Sequence, residues 1–393
     1  MYVDRGATIT DTPAMSPRRG GRTPRLAGGG DLSRALALVP IVLGQLADCC
    51  GALAGWSVLD ASWTLTGTAT VLVGLAGGTP RAVLRMSSSG AGRLRHESAV
   101  LRALAAFSEP GGGGLPVTRR RGDGAVEDWY FVLDDYVEGL DAPVALAADP
   151  SLRPAVERAG VAAATALHRA TARPVTVDDE LLRRWVDEPL EVVARELSAS
   201  SLQMVRGRVP LLRERLHGSL RGKDVQTGWI HGDFWWGNIR VDPGTGDATG
   251  VVDWDCAGPD ELPAHDLLHL ALFGESVRRG VSLGRVVADV VVAGTWPPEC
   301  EQLIQHARWA WAEQVPDADV ALLYWLRYTA MMIAQQRDYA DHSILVWEWR
   351  NVVPVLRGVG RAGERAQSRG TRRRARSDVS AQGGVPLEDP GLR

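Results

Sequence analysis

Three polar side chains stand at close spacing near the middle of the chain, each after a short apolar run. Asp233 follows Ile230-His231-Gly232, Asn238 comes five residues later, and Asp253 follows Val251-Val252. Phosphoryl transfer needs a group that orients the attacking hydroxyl and Mg²⁺ that neutralises phosphate charge. Because Mg²⁺ prefers oxygen ligands, the pattern predicts Asp233 as the catalytic carboxylate, with Asn238 and Asp253 as metal ligands. The plainer alternative is a glycine turn with a capping Asp and a surface Asn.

The stretch from His231 to Asn238 resembles the H-G-D-x-x-x-x-N loop of the aminoglycoside phosphotransferase and choline kinase-like family, relatives of the protein kinases. That family continues with an apolar-Asp-Trp segment and a later Asp-Leu pair, which here are Val252-Asp253-Trp254 and Asp266-Leu267. The resemblance covers roughly residues 57–357. It implies an α+β, bilobal protein-kinase-like fold. The small N-terminal lobe would hold a five-stranded antiparallel sheet plus a helix, and the larger C-terminal lobe would be mainly helical.

The resemblance also implies the reaction and its participants. ATP, or else GTP, would be the phosphate donor, Mg²⁺ the cofactor, and a hydroxyl of a small molecule the acceptor. Aminoglycosides, amino sugars, choline-like alcohols, homoserine-like alcohols and a saccharide building block all stay open as acceptors. The alternative is a kinase-like pseudoenzyme that binds nucleotide or a partner without transferring phosphate. Departures from the family pattern at Arg85 and at the Trp235-Trp236 pair favour this alternative, whereas the intact Asp233 opposes it.

The N-terminal half supplies the positions at which this family holds nucleotide. Arg85 stands where the family has a phosphate-binding Lys, and Glu97 fits the helix Glu that pairs with it. Arg stays cationic and binds phosphate bidentately, but its shape and reach differ from those of Lys. Gly67 would be the tip of a hairpin that covers the nucleotide. The hinge between the lobes would meet adenine through backbone groups of Asp135, Tyr136 and Val137. The plainer alternative for Arg85 and Glu97 is an ordinary exposed strand Arg and helix Glu. On the residues alone, Gly67 is equally a plain turn, and the aromatic residues of the hinge strand are equally core.

Four residues around the loop have roles that the resemblance implies or leaves open. Asp266 would be a structural carboxylate that braces the loop, with His231 as a structural residue at the same site. On the residues alone, Asp266 equally caps the helix that begins there. Trp235 and Trp236 either shield the transfer site and stack on a substrate ring, or pack against the C-terminal lobe.

Short apolar runs separated by glycine turns predict the N-terminal sheet. Its strands are expected at residues 58–66, 68–75, 82–86, 115–119 and 128–136, with Gly122-Asp123-Gly124 as the turn of the last hairpin. An amphipathic helix is expected at 93–104. Residues 31–54 are expected to be helical in pieces, with Pro40 either interrupting a helix or standing at the start of one. Further helices are expected at 153–171, 181–198, 202–220, 264–273, 283–292, 298–313, 320–339 and 342–356. His168 and His269 fall on apolar helix faces, which indicates buried rather than catalytic histidines.

Composition divides the chain into a body and two tails. Both ends are rich in Gly, Pro or Arg and lack periodicity, which predicts disorder. The expected domains are a tail at 1–30, a nucleotide-binding lobe with its leading helix at 31–138, a catalytic and substrate lobe at 139–357, and an Arg-rich tail at 358–393. The formal net charge is −3 and the tails are basic, so the body is acidic. Such a body suits a cationic or neutral small-molecule substrate better than nucleic acid.

Cysteine usage and hydropathy bear on the compartment. The four Cys show no C-x-x-C spacing, which argues against a metal site or disulfide framework and suits a reducing cytoplasm. The first thirty residues hold no apolar signal-peptide core. The most apolar segment, residues 35–56, contains Pro40, Gln45 and Asp48, so we expect no membrane span. The pattern leaves the oligomeric state open.

Overall fold

The computed structural model describes residues 29–50, 55–64, 67–75, 78–89, 91–107, 115–335 and 341–360 of the chain. Over these residues the chain forms two compact units. The first combines residues up to 175 with 224–274 and 302–311, and the second combines 176–223, 275–301 and residues from 312. The lobe boundary predicted at 138/139 lies inside the first unit. Most of both predicted tails lies outside the described residues, although residues 29–30 and 358–360 are helical.

Five antiparallel strands form the N-terminal sheet, as predicted, in the order β1-β2-β3-β5-β4. They are β1 (Trp56–Trp63), β2 (Ala69–Leu75), β3 (Thr79–Ser87), β4 (Arg120–Val126) and β5 (Trp129–Asp135). Two helices accompany this sheet, α1 (Gly29–Cys50) and α2 (Ala91–Ala105). Because side chains alternate across a strand, Val71 and Leu84 turn to one face, where they join the apolar side of α1 in one core. Leu94 of α2 packs with Tyr130 and Val132 of β5 in a second cluster.

The fourth strand differs from the prediction, which placed it at 115–119 with a turn at 122–124. Strand β4 instead occupies residues 120–126, and the turn falls at Glu127-Asp128. Gly124 lies opposite Phe131 in the sheet, where an added Cβ would be 2.8 Å from the aromatic ring. The glycine therefore permits close packing within a strand. Glu127 adopts the left-handed conformation that the turn needs, with φ of 52°.

Helix α1 also differs from the prediction, because it continues through Pro40 without dividing there. Proline removes a backbone donor and disfavours a helix interior. Here Pro40 is exposed, whereas Val39 and Val42 on the opposite side are buried in the core. Packing of the apolar face against the sheet therefore outweighs the local cost at the proline.

The rest of the described chain is mainly helical. Its helices are α3 (Ala142–Ala148), α4 (Arg153–Thr171), α5 (Asp179–Leu182), α6 (Glu188–Glu196), α7 (Ala199–Val205), α8 (Val209–Leu220), α9 (Ala264–Arg279), α10 (Leu283–Ala293), α11 (Pro298–Gln305), α12 (Asp317–Gln335) and α13 (Asp341–Asn351). Its strands are β6 (Leu140–Asp141), β7 (Arg173–Thr176), β8 (Asp224–Ile230), β9 (Ile239–Val241), β10 (Ala248–Val251) and β11 (Gly258–Glu261). None of the described helices combines the length and apolar character that crossing a membrane requires.

Two small sheets position the polar residues of the first unit. Strand β8 lies between β7 and β11, and β9 lies between β6 and β10. Residues 231–238 connect β8 to β9, and Asp253 follows β10 by two residues. The hydroxyl of Thr118 donates to the carbonyl of Val251, and the N–H of Val251 donates to the carbonyl of Pro116, both at 2.9 Å. The end of β10 is therefore fixed to the segment that precedes β4.

Candidate active site

The loop after β8 is held by one buried carboxylate. Asp266, in the first turn of α9, accepts the N–H of His231 at 2.8 Å and the N–H of Gly232 at 2.9 Å. Asp266 also pairs with the ring of His168 on α4, with 3.0 Å between Oδ2 of Asp266 and Nε2 of His168. Burial would raise the pKa of Asp266, but the hydrogen bond and charge of His168 outweigh burial and lower the pKa to about 2. Asp266 therefore stays ionised and fixes the direction in which the loop leaves β8.

The ring of His231 joins two segments of the site. Its Nδ1 accepts the N–H of Asp233 at 3.3 Å, so Nε2 carries the proton and donates to the carbonyl of Val252 at 2.9 Å. The ring packs against Trp254, with 4.7 Å between centroids. The N–H of Val252 in turn donates to the carbonyl of Asn238 at 3.0 Å. The loop that carries Asp233 is thus tied to the segment that carries Asp253.

Asp233 has a donor at each carboxylate oxygen. The Nδ2 of Asn238 lies 3.3 Å from Oδ2 and 2.9 Å from the backbone carbonyl of Asp233. The Nε2 of His269 lies 3.2 Å from Oδ1. Burial opposes ionisation, but the hydrogen bond and charge of His269 outweigh it and lower the pKa of Asp233. The side chain is 30% exposed, so an ionised carboxylate faces the open side of the site.

His269 is a residue of the candidate site whose contact with Asp233 the sequence did not predict. It is buried, as predicted, yet it contacts the proposed catalytic carboxylate. The available signal was its spacing, because residues three apart on a helix share a face. Asp266 braces the loop backbone and His269 follows it by three residues on α9.

Asp253 lies in a strained and acidic position. Its backbone is left-handed, with φ of 67° and ψ of 63°, which is uncommon for a residue other than glycine. Desolvation by the surrounding protein atoms, followed by the charge of Asp255, raises the pKa of Asp253, while Arg85 opposes this rise and the side chain keeps contact with solvent. Asp255 accepts Nε of Arg93 at 2.8 Å. A cation beside Asp253 would relieve the repulsion among these carboxylates.

Arg85 lies in a buried cluster of four charges. Its Nη2 is 2.7 Å from Oε1 of Glu97 and 2.7 Å from Oδ2 of Asp134. Arg120 pairs with the other oxygen of Asp134 and lies 3.7 Å from Oε2 of Glu97. Burial would lower the pKa of Arg85, but Glu97 and Asp134 outweigh it and raise the pKa. We call these four residues the Arg85 ion cluster. Arg120 and Asp134 had not been identified from the sequence.

A cavity of about 420 Å³ brings most of the predicted nucleotide residues together. Its lining includes Arg85, Glu97, Asp135, Tyr136, Val137 and Asp253. The N–H groups of Asp135 and Tyr136 already donate to the carbonyls of Arg119 and Arg81, so these two hinge donors are used within the protein. Gly67 is not part of this lining, but Thr64 and Thr68 beside it are. Gly67 has φ of 75°, and an added Cβ would lie 2.7 Å from the hydroxyl of Ser89.

The two tryptophans of the loop have different surroundings. A Cβ added to Gly160 of α4 or to Gly274 of α9 would lie 3.0 or 3.1 Å from the indole of Trp236, so this ring packs against both helices. Trp235 covers Gly237, where a Cβ would lie 2.3 Å from its ring. It also meets Phe273 edge to face, with 5.6 Å between centroids.

The two oxygen donors, Asn238 and Asp253, suit a Mg²⁺ ion that also binds phosphate better than a metal site built from several protein ligands. Within the described part of the chain, no group of three or more His, Cys, Asp or Glu side chains is arranged to hold a metal ion. Mg²⁺ is commonly bound through one or two protein ligands plus substrate phosphates. Because Nδ2 of Asn238 donates to Asp233, its Oδ1 is the atom left to ligate a cation. A cation held by Asn238 or Asp253 would therefore need phosphate oxygens to complete its coordination.

A five-stranded antiparallel sheet, an H-G-D-x-x-x-x-N loop and an Asp-Trp segment after a short strand are the features of a protein-kinase-like phosphotransferase. Residues 66–301 match the sequence model of the phosphotransferase enzyme family, APH, and the chain belongs to this family. The family expected from the sequence is thereby confirmed.

The fold is similar to that of a candidate aminoglycoside phosphotransferase from Ralstonia eutropha JMP134. The TM-score is 0.53 at 15% identity, with 83% of this chain and 98% of that chain covered. Two other similar structures are an aminoglycoside phosphotransferase from Streptomyces rimosus and a glucosamine kinase solved with glucosamine, ADP and inorganic phosphate. For these the TM-scores are 0.45 and 0.41, both at 18% identity, covering 75% and 83% of this chain and 99% and 87% of the other. No curated protein is significantly similar in sequence. The expected protein-kinase-like α+β fold is confirmed.

Proposed function

We propose that the chain is a Mg²⁺-dependent kinase that transfers the γ-phosphoryl group of ATP, or of GTP, to a hydroxyl of a small molecule. Aminoglycosides, amino sugars and choline-like alcohols are the acceptor classes to test first. One observation carries the proposal: Asp233 is ionised, partly exposed and hydrogen-bonded to Asn238, on a loop that His231 ties to the segment of Asp253. A base and two oxygen ligands on one scaffold are what phosphoryl transfer requires.

Each residue has a distinct task in this proposal. Asp233 orients the acceptor hydroxyl and accepts its proton as the oxygen attacks phosphorus. Asn238 and Asp253 would hold Mg²⁺, which supplies neutralisation of phosphate charge when it is bound. Arg85 presents a cation at the wall of the nucleotide cavity and is fixed there by Glu97. Most of the catalytic effect would come from positioning and electrostatics, as in other phosphoryl-transfer enzymes.

The direct test is Asp233→Asn in a screen with labelled ATP and GTP, Mg²⁺ and a panel of hydroxyl compounds. Loss of the base should lower turnover about 10³-fold while the thermal unfolding curve stays unchanged. Asp247→Asn is the matched control, since Asp247 is exposed in the turn between β9 and β10. If Asp233→Asn keeps full activity, the proposed role of Asp233 is wrong.

A kinase-like pseudoenzyme is the second candidate, and one observation favours it. The guanidinium of Arg85 is bound by both Glu97 and Asp134, which leaves it less available to phosphate than a cation with one carboxylate partner. Calorimetric titration with Mg²⁺ and nucleotide separates the two candidates when combined with the acceptor screen. Binding without turnover across the whole panel would favour the pseudoenzyme.

A further inference from the structure

His269 occupies a position that the proposed chemistry has not yet used. It lies three residues after Asp266 on α9, so both side chains emerge on one face of that helix. Asp266 binds the backbone at the start of the loop, whereas His269 reaches the side chain of Asp233. The imidazole is only 2% exposed and stacks on Phe273, with 5.1 Å between centroids and 19° between planes. Its orientation is therefore set by packing before any substrate binds.

The hydrogen bond from His269 can run in one direction only. An ionised carboxylate accepts and cannot donate, so Nε2 of His269 must carry the proton that lies toward Oδ1 of Asp233. The other oxygen, Oδ2, receives Nδ2 of Asn238. With a donor on each oxygen, rotation of the carboxylate about its last bond is restricted. Either donor alone would restrict that rotation less.

We infer that His269 is a positioning residue that holds the carboxylate of Asp233 in the orientation needed to receive the acceptor hydroxyl. This rests on the proposed function, in which Asp233 takes the hydroxyl proton. The acceptor oxygen forms its bond to phosphorus, the bond from phosphorus to the nucleoside diphosphate breaks, and the leaving oxygen keeps that electron pair. His269 keeps its own proton throughout and acts only through Asp233. It is not part of the lining of the nucleotide cavity.

The test compares two substitutions of His269. His269→Phe keeps an aromatic ring to stack on Phe273 and removes the donor, while His269→Gln places an amide N–H near the position of Nε2. A misplaced catalytic group costs about 10²-fold in rate, so kcat should fall by that factor in His269→Phe. It should recover to within about tenfold of native in His269→Gln, and the KM for nucleotide should change less than about threefold in both.

A double variant asks whether His269 acts through Asp233. Asp233→Asn combined with His269→Phe should be no slower than Asp233→Asn alone, because groups that act as a unit are not additive. The inference is overturned if kcat of His269→Phe stays within about threefold of native, if His269→Gln gives no recovery while both variants melt like native, or if the two losses multiply.

A structural readout separates this inference from the proposed function. If the native protein phosphorylates nothing in the panel, the proposed function fails, and crystal structures of native and His269→Phe then decide the positioning claim. A rotated Asp233 side chain in the variant supports it, and an unmoved side chain overturns it. If His269→Phe does not fold, His269→Met serves as the donor-free variant for the same comparison with His269→Gln.

Discussion

Two regions of the first unit, the Arg85 ion cluster and the loop of residues 231–238, are stabilised by different interactions. The Arg85 ion cluster balances two guanidinium groups against two carboxylates, and all four side chains are at most 19% exposed. The loop of residues 231–238 relies on a single buried carboxylate, Asp266, which accepts two backbone N–H groups and one imidazole N–H. The first arrangement depends on a sum of charges. The second depends on the direction of hydrogen bonds from the backbone.

The difference bears on which substitutions each region tolerates. Removing one member of a buried ion pair leaves an uncompensated charge, whereas removing both members together is often nearly neutral. A carboxylate that accepts backbone N–H groups has partners that no side-chain substitution can remove. The ion cluster should therefore be repairable by paired substitutions, while Asp266 should show its contribution as a dependence on pH.

The largest expected effect is that of Glu97→Leu, which leaves Arg85 and Arg120 facing Asp134 alone. We expect the free energy of unfolding to fall by about 3–5 kcal/mol, because a net positive charge is then buried. Urea denaturation followed by circular dichroism measures this loss.

The control for this prediction is the double variant Glu97→Leu with Arg120→Met, which removes one charge of each sign. It should recover most of the lost stability, since Arg85 and Asp134 remain as a balanced pair. A double variant no more stable than the single one would show that charge balance does not govern the cluster.

Protonation of Asp266, which holds the loop of residues 231–238, should lower the stability of the protein at acid pH. The folded pKa of Asp266 is about 2, below an unfolded value of about 3.9. A carboxyl whose pKa is lowered by folding stabilises the protein fully above its unfolded pKa and loses that contribution as pH falls toward the folded pKa. We expect Asp266 to account for about 2 kcal/mol of stability lost between pH 5 and pH 2. Asp266→Asn should be less stable at pH 7 and lack this part of the pH dependence. An unchanged slope in that variant would contradict the assignment.

The same contrast explains what the sequence could predict. The spacing of Asp233, Asn238 and Asp253 is a local feature of the sequence, and so is an alternating run of apolar residues. The loop and the sheet could therefore both be predicted from the sequence. Only Arg85 and Glu97 of the Arg85 ion cluster were predicted from the sequence. Asp134 lies 49 residues from Arg85 along the chain and meets it through the pairing of β3 with β5, which the sequence does not show. The misplaced fourth strand has a related cause. The ring of Phe131 packs closely over Gly124, where a Cβ would not fit, so the glycine belongs in a strand and not in a turn. This contact follows from the pairing of β4 with β5, which the sequence alone does not show.

The smallest expected effect concerns a link between the two regions. Arg93 on α2, the helix that carries Glu97, binds Asp255 beside Asp253, and its side chain is 44% exposed. Arg93 is half-exposed but its partner Asp255 is only 10% exposed, so Arg93→Ala should lower the free energy of unfolding by about 1 kcal/mol, the upper end for an exposed pair. The affinity for nucleotide with Mg²⁺ should nevertheless weaken about threefold, because one tie between the helix and the segment of Asp253 is lost.

Arg102→Ala is the matched control for Arg93→Ala. Arg102 lies on the same helix, pairs with Asp123 at 2.9 Å and is 61% exposed, but Asp123 belongs to the sheet and not to the segment of Asp253. Calorimetric titration should therefore detect weaker nucleotide binding only in Arg93→Ala. About 0.5 M salt should reduce the difference in nucleotide affinity between Arg93→Ala and the native protein, because salt screens the half-exposed pair of Arg93 with Asp255. Equal weakening in Arg102→Ala would mean that the loss comes from α2 as a whole and not from its tie to Asp255.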